Sequence, residues 1–303
     1  MPPFLFALLV PVVLFVTFWA LCYWPLAGVV SVMKVGLKRG SAWLVQSRWG
    51  KWAFGHAGPL GPYAPILLVM ALGGIAAVGA GYVFVVLAEQ FRLTTSVVYQ
   101  ADQAVHTWFG HERQPAMTVL LSTVTWFGGM VGEAVSVAVV AVLLLVRKQR
   151  ASAIFLMVTA ATGGLLNTAL KMIFARARPD MASALAVARW YSYPSGHAMA
   201  SFITFGALAY LALRLPWPWL SKSAALAIAL TMVVLVGVSR VYLGVHWASD
   251  IAGGWSAGTV WLVTAVVSYE MLLRLRQRRR GAAPTSPAAD IPDKPVPAHP
   301  VTS

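Results

Sequence analysis

Three short segments, far apart in the chain, carry the side chains that could grip a phosphate and break its ester bond. The first runs from Lys171 to Pro179 as K-x-x-x-x-x-x-R-P, with Arg178 before the proline. The second is Pro194-Ser195-Gly196-His197. The third is S-R-x-x-x-x-x-H-x-x-x-D, with Ser239, Arg240, His246 and Asp250. Together they hold Lys171, Arg178 and Arg240 as fixed cations, two histidines, one carboxylate and a Ser-Gly turn.

Each spacing has a chemical reading. Lys171 and Arg178 are seven apart, two helical turns, which predicts one face and a rise of about 10.5 Å. Pro179 disfavours helix at Arg178, so the arginine is expected on a frayed end that bends back. Arg can take two phosphate oxygens in a fork, and Lys adds a point charge. Ser195 is a natural N-cap for the apolar run that follows it. Free N–H groups at that helix start favour an anion, Gly196 lets the backbone approach closely, and His197 falls in the first turn. His246 and Asp250 are four apart, which predicts one helical face. Asp250 can then take the proton of one ring nitrogen and leave the other free to attack.

Any one of these cations or histidines, taken alone, reads as a side chain snorkelling at a membrane surface. The set reads differently because of where it sits. Of the 303 residues, 59% are hydrophobic and 11% charged, against about 25% charged in soluble domains. Mean hydropathy is +0.73. Runs long enough to span a bilayer fall at 4–24, 64–88, 130–146, 152–173, 198–214, 223–241 and 251–273. The fold class expected is therefore all-α: a polytopic membrane helix bundle with one extra N-terminal membrane helix. Lys171, Arg178, Arg240 and Asp250 lie at matching ends of these runs. Left in lipid, four such groups would cost on the order of 10 kcal/mol, so they must share a polar cavity.

The net charge of +14 does not indicate nucleic acid, because the basic residues cluster between apolar runs. They follow the first, third, fifth and seventh runs, which places those loops in the cytoplasm, the N-terminus outside and the C-terminus inside. All three segments then face the exterior. Cys22 is the single cysteine, so an intrachain disulfide or cysteine-based metal site is excluded. Residues 100–128 read as one short helix along the outer interface, with Trp108, Trp126 and Phe127 at the headgroup level. Asp102, His106 and His111 read as solvated there, Glu133 as structural, and Asn167 as a tie between helices.

The three segments resemble the signature of the type 2 phosphatidic acid phosphatase superfamily, membrane lipid phosphatases related to acid phosphatases and vanadium haloperoxidases. All three are present in order, with no departure at a signature position. The resemblance implies a six-helix phosphatase core at 61–275. Residues 1–60 then add a membrane helix and a basic cytoplasmic segment, and 276–303 form a basic, Pro-rich disordered tail. It implies His246 as the nucleophile forming a phosphohistidine, Asp250 as its orienting group and His197 as the acid for the leaving oxygen. Lys171, Arg178, Ser195, Gly196 and Arg240 would hold the phosphate. It implies no metal and no cofactor, in keeping with two histidines and one carboxylate among three cations, a poor cation site.

The expected function is hydrolysis of a lipid phosphate or diphosphate at the outer face of a bacterial inner membrane. Undecaprenyl diphosphate is the first candidate, then phosphatidylglycerophosphate or phosphatidic acid. Partners are the bilayer and its lipid substrate. Two other readings share these residues: a phosphotransferase passing the phosphate to another lipid such as lipid A, and a non-catalytic lipid-binding protein. The soluble peroxidase relatives fit a chain this apolar poorly.

Overall fold

The computed structural model describes residues 64–281, and among them there is no strand. The expected first membrane helix at 4–24, its basic segment, and tail residues 282–303 lie outside the described residues. In chain order the helices are α1 (Ala64–Gln90), α2 (Val97–His111), α3 (Pro115–Thr125), α4 (Met130–Val146), α5 (Arg150–Phe174), α6 (Gly196–Arg214), α7 (Trp219–Tyr242) and α8 (Ala248–Gly281). Among the described residues α1, α5, α6, α7 and α8 are long and apolar enough to cross a membrane. The pair α3 and α4, bent by 59° at a break around Gly129, makes a sixth if it is counted as one span. These are the second to seventh apolar runs of the sequence. The chain is thus a multi-pass helical membrane protein.

Two boundaries differ from the sequence reading. The single interfacial helix expected over 100–128 is two, because Pro115 cannot continue α2 and instead occupies the start of α3. Residues 276–281, expected in the tail, belong to α8, which continues to Gly281. Residues 268–281 belong to a separate contact unit.

Within residues 64–267, α6 packs most extensively on α7, then α5 on α6, α4 on α5 and α3 on α7. The start of α8 reaches this bundle through small residues. A Cβ on Gly254 would lie 2.8 Å from the Ser195 carbonyl oxygen and 3.0 Å from Ala198 Cβ. That closeness lets the Ser195 amide donate to the Asp250 carbonyl at 3.0 Å, tying the second segment to the third. Gly254→Ala should therefore destabilise by about 1–3 kcal/mol through overpacking. Thermal unfolding in detergent against wild type measures it.

An aromatic cluster anchors the loop that enters α6. Tyr193 is fully buried and its hydroxyl donates to the Phe84 carbonyl at 2.7 Å. Its ring lies 5.0 Å from Phe91, 5.2 Å from Phe84 and 5.4 Å from Phe174. This holds Tyr193 against α1 and α5, just ahead of the Ser195 cap.

Candidate active site

The first segment does not lie on one helical face. Helix α5 ends at Phe174, and Ala175 turns left-handed at φ 45°. Lys171 stays in the last turn, while Arg178 rides on an extended loop before Pro179. The end is set by the left-handed cap at Ala175 and not by Pro179, so the chain leaves the helix three residues before the arginine. Lys171 Nζ donates to the carbonyls of Tyr191 at 2.8 Å and Ser192 at 3.3 Å.

The second segment forms the expected cap. Ser195 is the N-cap of α6, its hydroxyl accepting from the Ala198 amide at 3.5 Å. The Ser195 amide is already bonded to the Asp250 carbonyl. The donors that α6 leaves free at its start are those of Gly196 and His197. A Cβ on Gly196 would stand 3.0 Å from Asn167 Oδ1 and 3.8 Å from Lys171 Cε, so glycine here keeps the turn against α5. Asn167 itself ties α5 to α6 through Met199 Sδ at 3.4 Å.

The third segment departs from its spacing argument. His246 lies in the turn between α7 and α8, and Asp250 is in the first turn of α8. They meet because the Asp250 carboxylate reaches back over the helix start, accepting from the Trp247 amide at 2.9 Å and facing His246 Nδ1 at 3.1 Å. The turn is opened by Gly244 at φ 75°, a conformation that suits glycine. His246 Nε2 faces Arg178 Nη1 at 3.1 Å. A guanidinium only donates, so Nε2 accepts, and Nδ1 keeps its proton and donates a hydrogen bond to Asp250. Burial, reinforced by the charges of Arg178 and Lys171 and opposed by Asp250, lowers the His246 pKa to about 3. The resting ring is neutral, with its lone pair on Nε2. An unfolded histidine takes a proton near 6.5. The contribution of this ring to stability is thus full above that value and lost as the pH falls toward about 3.

Four contributors escaped the sequence reading. Arg176 is buried and donates to Asp250 Oδ1 and Asp102 Oδ2, both at 2.7 Å, and to Ser249 Oγ at 2.7 Å. Asp102, expected in water, is 2% exposed and also accepts from the Ser249 amide at 2.8 Å and hydroxyl at 2.5 Å. Ser192 Oγ donates to Asp250 Oδ2. The guanidinium of Arg176 sits over Phe91, 4.2 Å from the ring centre. One signal was present: Asp102, Val105 and Phe109 share a helical face, and the latter two pack on the core, so Asp102 faces inward.

The three remaining cations are left with excess charge. Arg178 has all five donors engaged, by the carbonyls of Arg189, Trp190, Tyr191 and Val245 and by His246 Nε2. To take a phosphate oxygen it must exchange at least one of them. Arg240 is 4% exposed, donates to Thr125 Oγ1 at 3.1 Å, and has its Nε without a partner. Among the described residues, no carboxylate bonds to Lys171, Arg178 or Arg240. Lys171 feels the charges of Arg178, Arg240 and Asp250, and His197 those of Arg240, Lys171 and Arg178. The residues from all three segments therefore share one neighbourhood, cationic in sum and fitted to an anion. Glu133, by contrast, accepts from Thr204 at 2.8 Å and ties α4 to α6.

Known proteins agree with this geometry. The profile of the PAP2 superfamily, the type 2 phosphatidic acid phosphatases, matches residues 151–274. Phosphatidylglycerophosphatase B of Bacillus subtilis is 30% identical over 196 residues, 64% of this chain and 95% of that protein. The undecaprenyl-diphosphatase of Sulfolobus acidocaldarius is 32% identical over 143 residues, 46% of this chain and 65% of that protein. The crystal structure of a transmembrane PAP2-type phosphatidylglycerolphosphate phosphatase from Bacillus subtilis superposes with a TM-score of 0.60 at 29% identity, covering 65% of this chain and 96% of that one. A relative matched over nearly its whole length, on a chain whose signature residues share one cationic neighbourhood, places this protein in the PAP2 superfamily as a membrane lipid phosphatase.

Proposed function

We propose that the protein hydrolyses a lipid phosphate or diphosphate at the outer face of the membrane through a phosphohistidine. The observation that carries this is the state of His246: a neutral ring, Nδ1 bonded to Asp250 and the Nε2 lone pair beside Arg178. His246 Nε2 attacks phosphorus and forms the N–P bond. The P–O bond to the lipid breaks, and His197 gives its proton to the leaving oxygen. Water then attacks the phosphohistidine, His197 takes a proton from it, the N–P bond breaks and phosphate departs. Lys171, Arg178, Arg240 and the Gly196 amide hold the charge that builds on the phosphoryl oxygens, where preorganised donors lower the barrier most. Ser195 acts as the cap that fixes this helix start.

Support for the outer face is the distribution of basic loops. Undecaprenyl diphosphate is the first substrate choice, since an outward site suits a carrier lipid that is recycled. Phosphatidylglycerophosphate and phosphatidic acid follow, the former being named in the relative covered over nearly its whole length. Phosphate release by purified protein from the three lipids tests this, and absence of turnover on all of them refutes it. Label that ends on a second lipid instead of in solution would reassign the protein as a phosphotransferase.

The neutral nucleophile makes a separate prediction. With p-nitrophenyl phosphate, the rate of phosphohistidine formation should stay within about twofold from pH 7 to pH 5, because the ring takes a proton only near 3. A quench-flow rate falling along a single titration near 6.5 would contradict it.

A further inference from the structure

The break between α3 and α4 lies outside the family match at 151–274 and outside all three signature segments, yet it touches two of their residues. Thr125, at the end of α3, accepts from Arg240 Nη1 at 3.1 Å. Gly128 lies against the His197 backbone, where a Cβ would meet the carbonyl oxygen at 3.0 Å. Gly129 lies against the imidazole itself, where a Cβ would stand 3.3 Å from Nε2 and 3.9 Å from Cε1. The backbone does not ask for glycine there: Gly129 has φ −78° and ψ 156°, which any residue adopts. What the missing side chain provides is space beside Nε2. The His197 ring makes no hydrogen bond to a described residue, so that nitrogen is available to a substrate atom.

We propose that the α3–α4 break is the leaving-group wall of the active site: Gly129 keeps His197 Nε2 open to the leaving oxygen, and Thr125 positions Arg240 from the same side. This rests on the reading of His197 as the general acid. An acid must approach the oxygen it protonates to about 2.6–3.2 Å. A methyl group 3.3 Å from Nε2 would occupy that approach. The same distance is too tight for ordinary packing, so the ring would shift by a few tenths of an ångström.

The test compares two substrates differing in their need for the acid. The alcohol of a lipid phosphate leaves as an alkoxide unless protonated, whereas p-nitrophenyl phosphate releases a stable phenolate. The quantity read is the rate of phosphohistidine formation, before water enters the reaction. Gly129→Ala should slow it by about 10²-fold or more on the lipid phosphate and by less than about tenfold on the aryl phosphate, the span general acid catalysis covers. Equal losses on both substrates, or no loss on either, overturn the proposal. His197→Ala is the control for the underlying reading. If it is not selective, His197 is not the acid and both ideas fall; if it is selective and Gly129→Ala is not, the wall alone falls.

A second pair keeps the proposal testable if Gly129→Ala does not fold. Thr125→Val should weaken inhibition by inorganic phosphate about tenfold, and Thr125→Ser, which keeps the hydroxyl, should restore it. Equal inhibition constants in the two variants overturn the role of Thr125 and, with it, of the break.

Discussion

His246→Ala should leave a folded protein with roughly 10⁴–10⁶-fold less phosphatase activity, the scale of loss when a nucleophile is removed from a preorganised site. The fold survives because Asp250 keeps Arg176, Ser192 and the Trp247 amide as partners, so no buried charge is stranded. Activity does not survive, because no other described side chain places a nucleophilic lone pair at Arg178 Nη1. Phosphate release and trapping of labelled phosphoprotein measure it together: both should vanish, while the elution profile and thermal unfolding stay close to wild type. Persistent labelling in His246→Ala would move the nucleophile elsewhere. Asp250→Asn is the finer test, since it keeps the shape but weakens the tautomer bias and leaves Arg176 one carboxylate short. A loss of about 10⁴-fold is the scale for such a change.

Arg176→Ala should be the most damaging change to the fold among the residues of this network. It removes one cation from between two carboxylates, Asp102 at 2% and Asp250 at 0% exposure. Breaking a buried pair by deleting one partner costs about 3–5 kcal/mol, and here two acids lose their partner at once. Arg176→Lys should rescue little, because a single ammonium cannot reach both acids as the two guanidinium nitrogens do, Nη1 to Asp250 and Nη2 to Asp102. The discriminating measurement is a double-mutant cycle with Asp102→Asn. The neutral amide removes one stranded charge, so Arg176→Ala combined with Asp102→Asn should be less destabilised than the sum of the single changes. Additive effects would mean that Arg176 contributes packing on Phe91 and not charge. Where the variant stays folded, its activity should fall with Asp250 intact, since the carboxylate that orients His246 is no longer held on its Oδ1 side.

The two results concern residues that the sequence treats very differently. His246, Asp250, His197 and the three cations stand in recognisable spacings, because short-range chemistry leaves short-range marks. Asp102 and Arg176 are 74 residues apart, and no spacing links them. A helical-face argument could have turned Asp102 inward, but nothing local names the partner it finds there. The same limit explains the spacing arguments that failed. A seven-residue spacing predicts one helical face for Lys171 and Arg178, yet the helix ends at Phe174; a four-residue spacing predicts one for His246 and Asp250, yet His246 precedes the helix. Both pairs belong to one site all the same, because loops and caps bring together what the helical period does not. Thr125 and Gly129 carry no motif at all and became legible only beside Arg240 and His197.

The sequence by itself determined the membrane-spanning helices, the cap at Ser195 and the kinds of group available for phosphate chemistry. The first two follow from neighbouring residues: a run of apolar side chains in lipid and a hydroxyl beside free amides. Only the tertiary structure decided which charges pair and which remain unpaired. Asp102 and Asp250 took Arg176, while Lys171, Arg178 and Arg240 were left without a carboxylate among the described residues. That division is set by which side chains packing brings within reach in a low-dielectric interior, where an unpaired charge is costly and the partner's place in the sequence has no bearing on the energy.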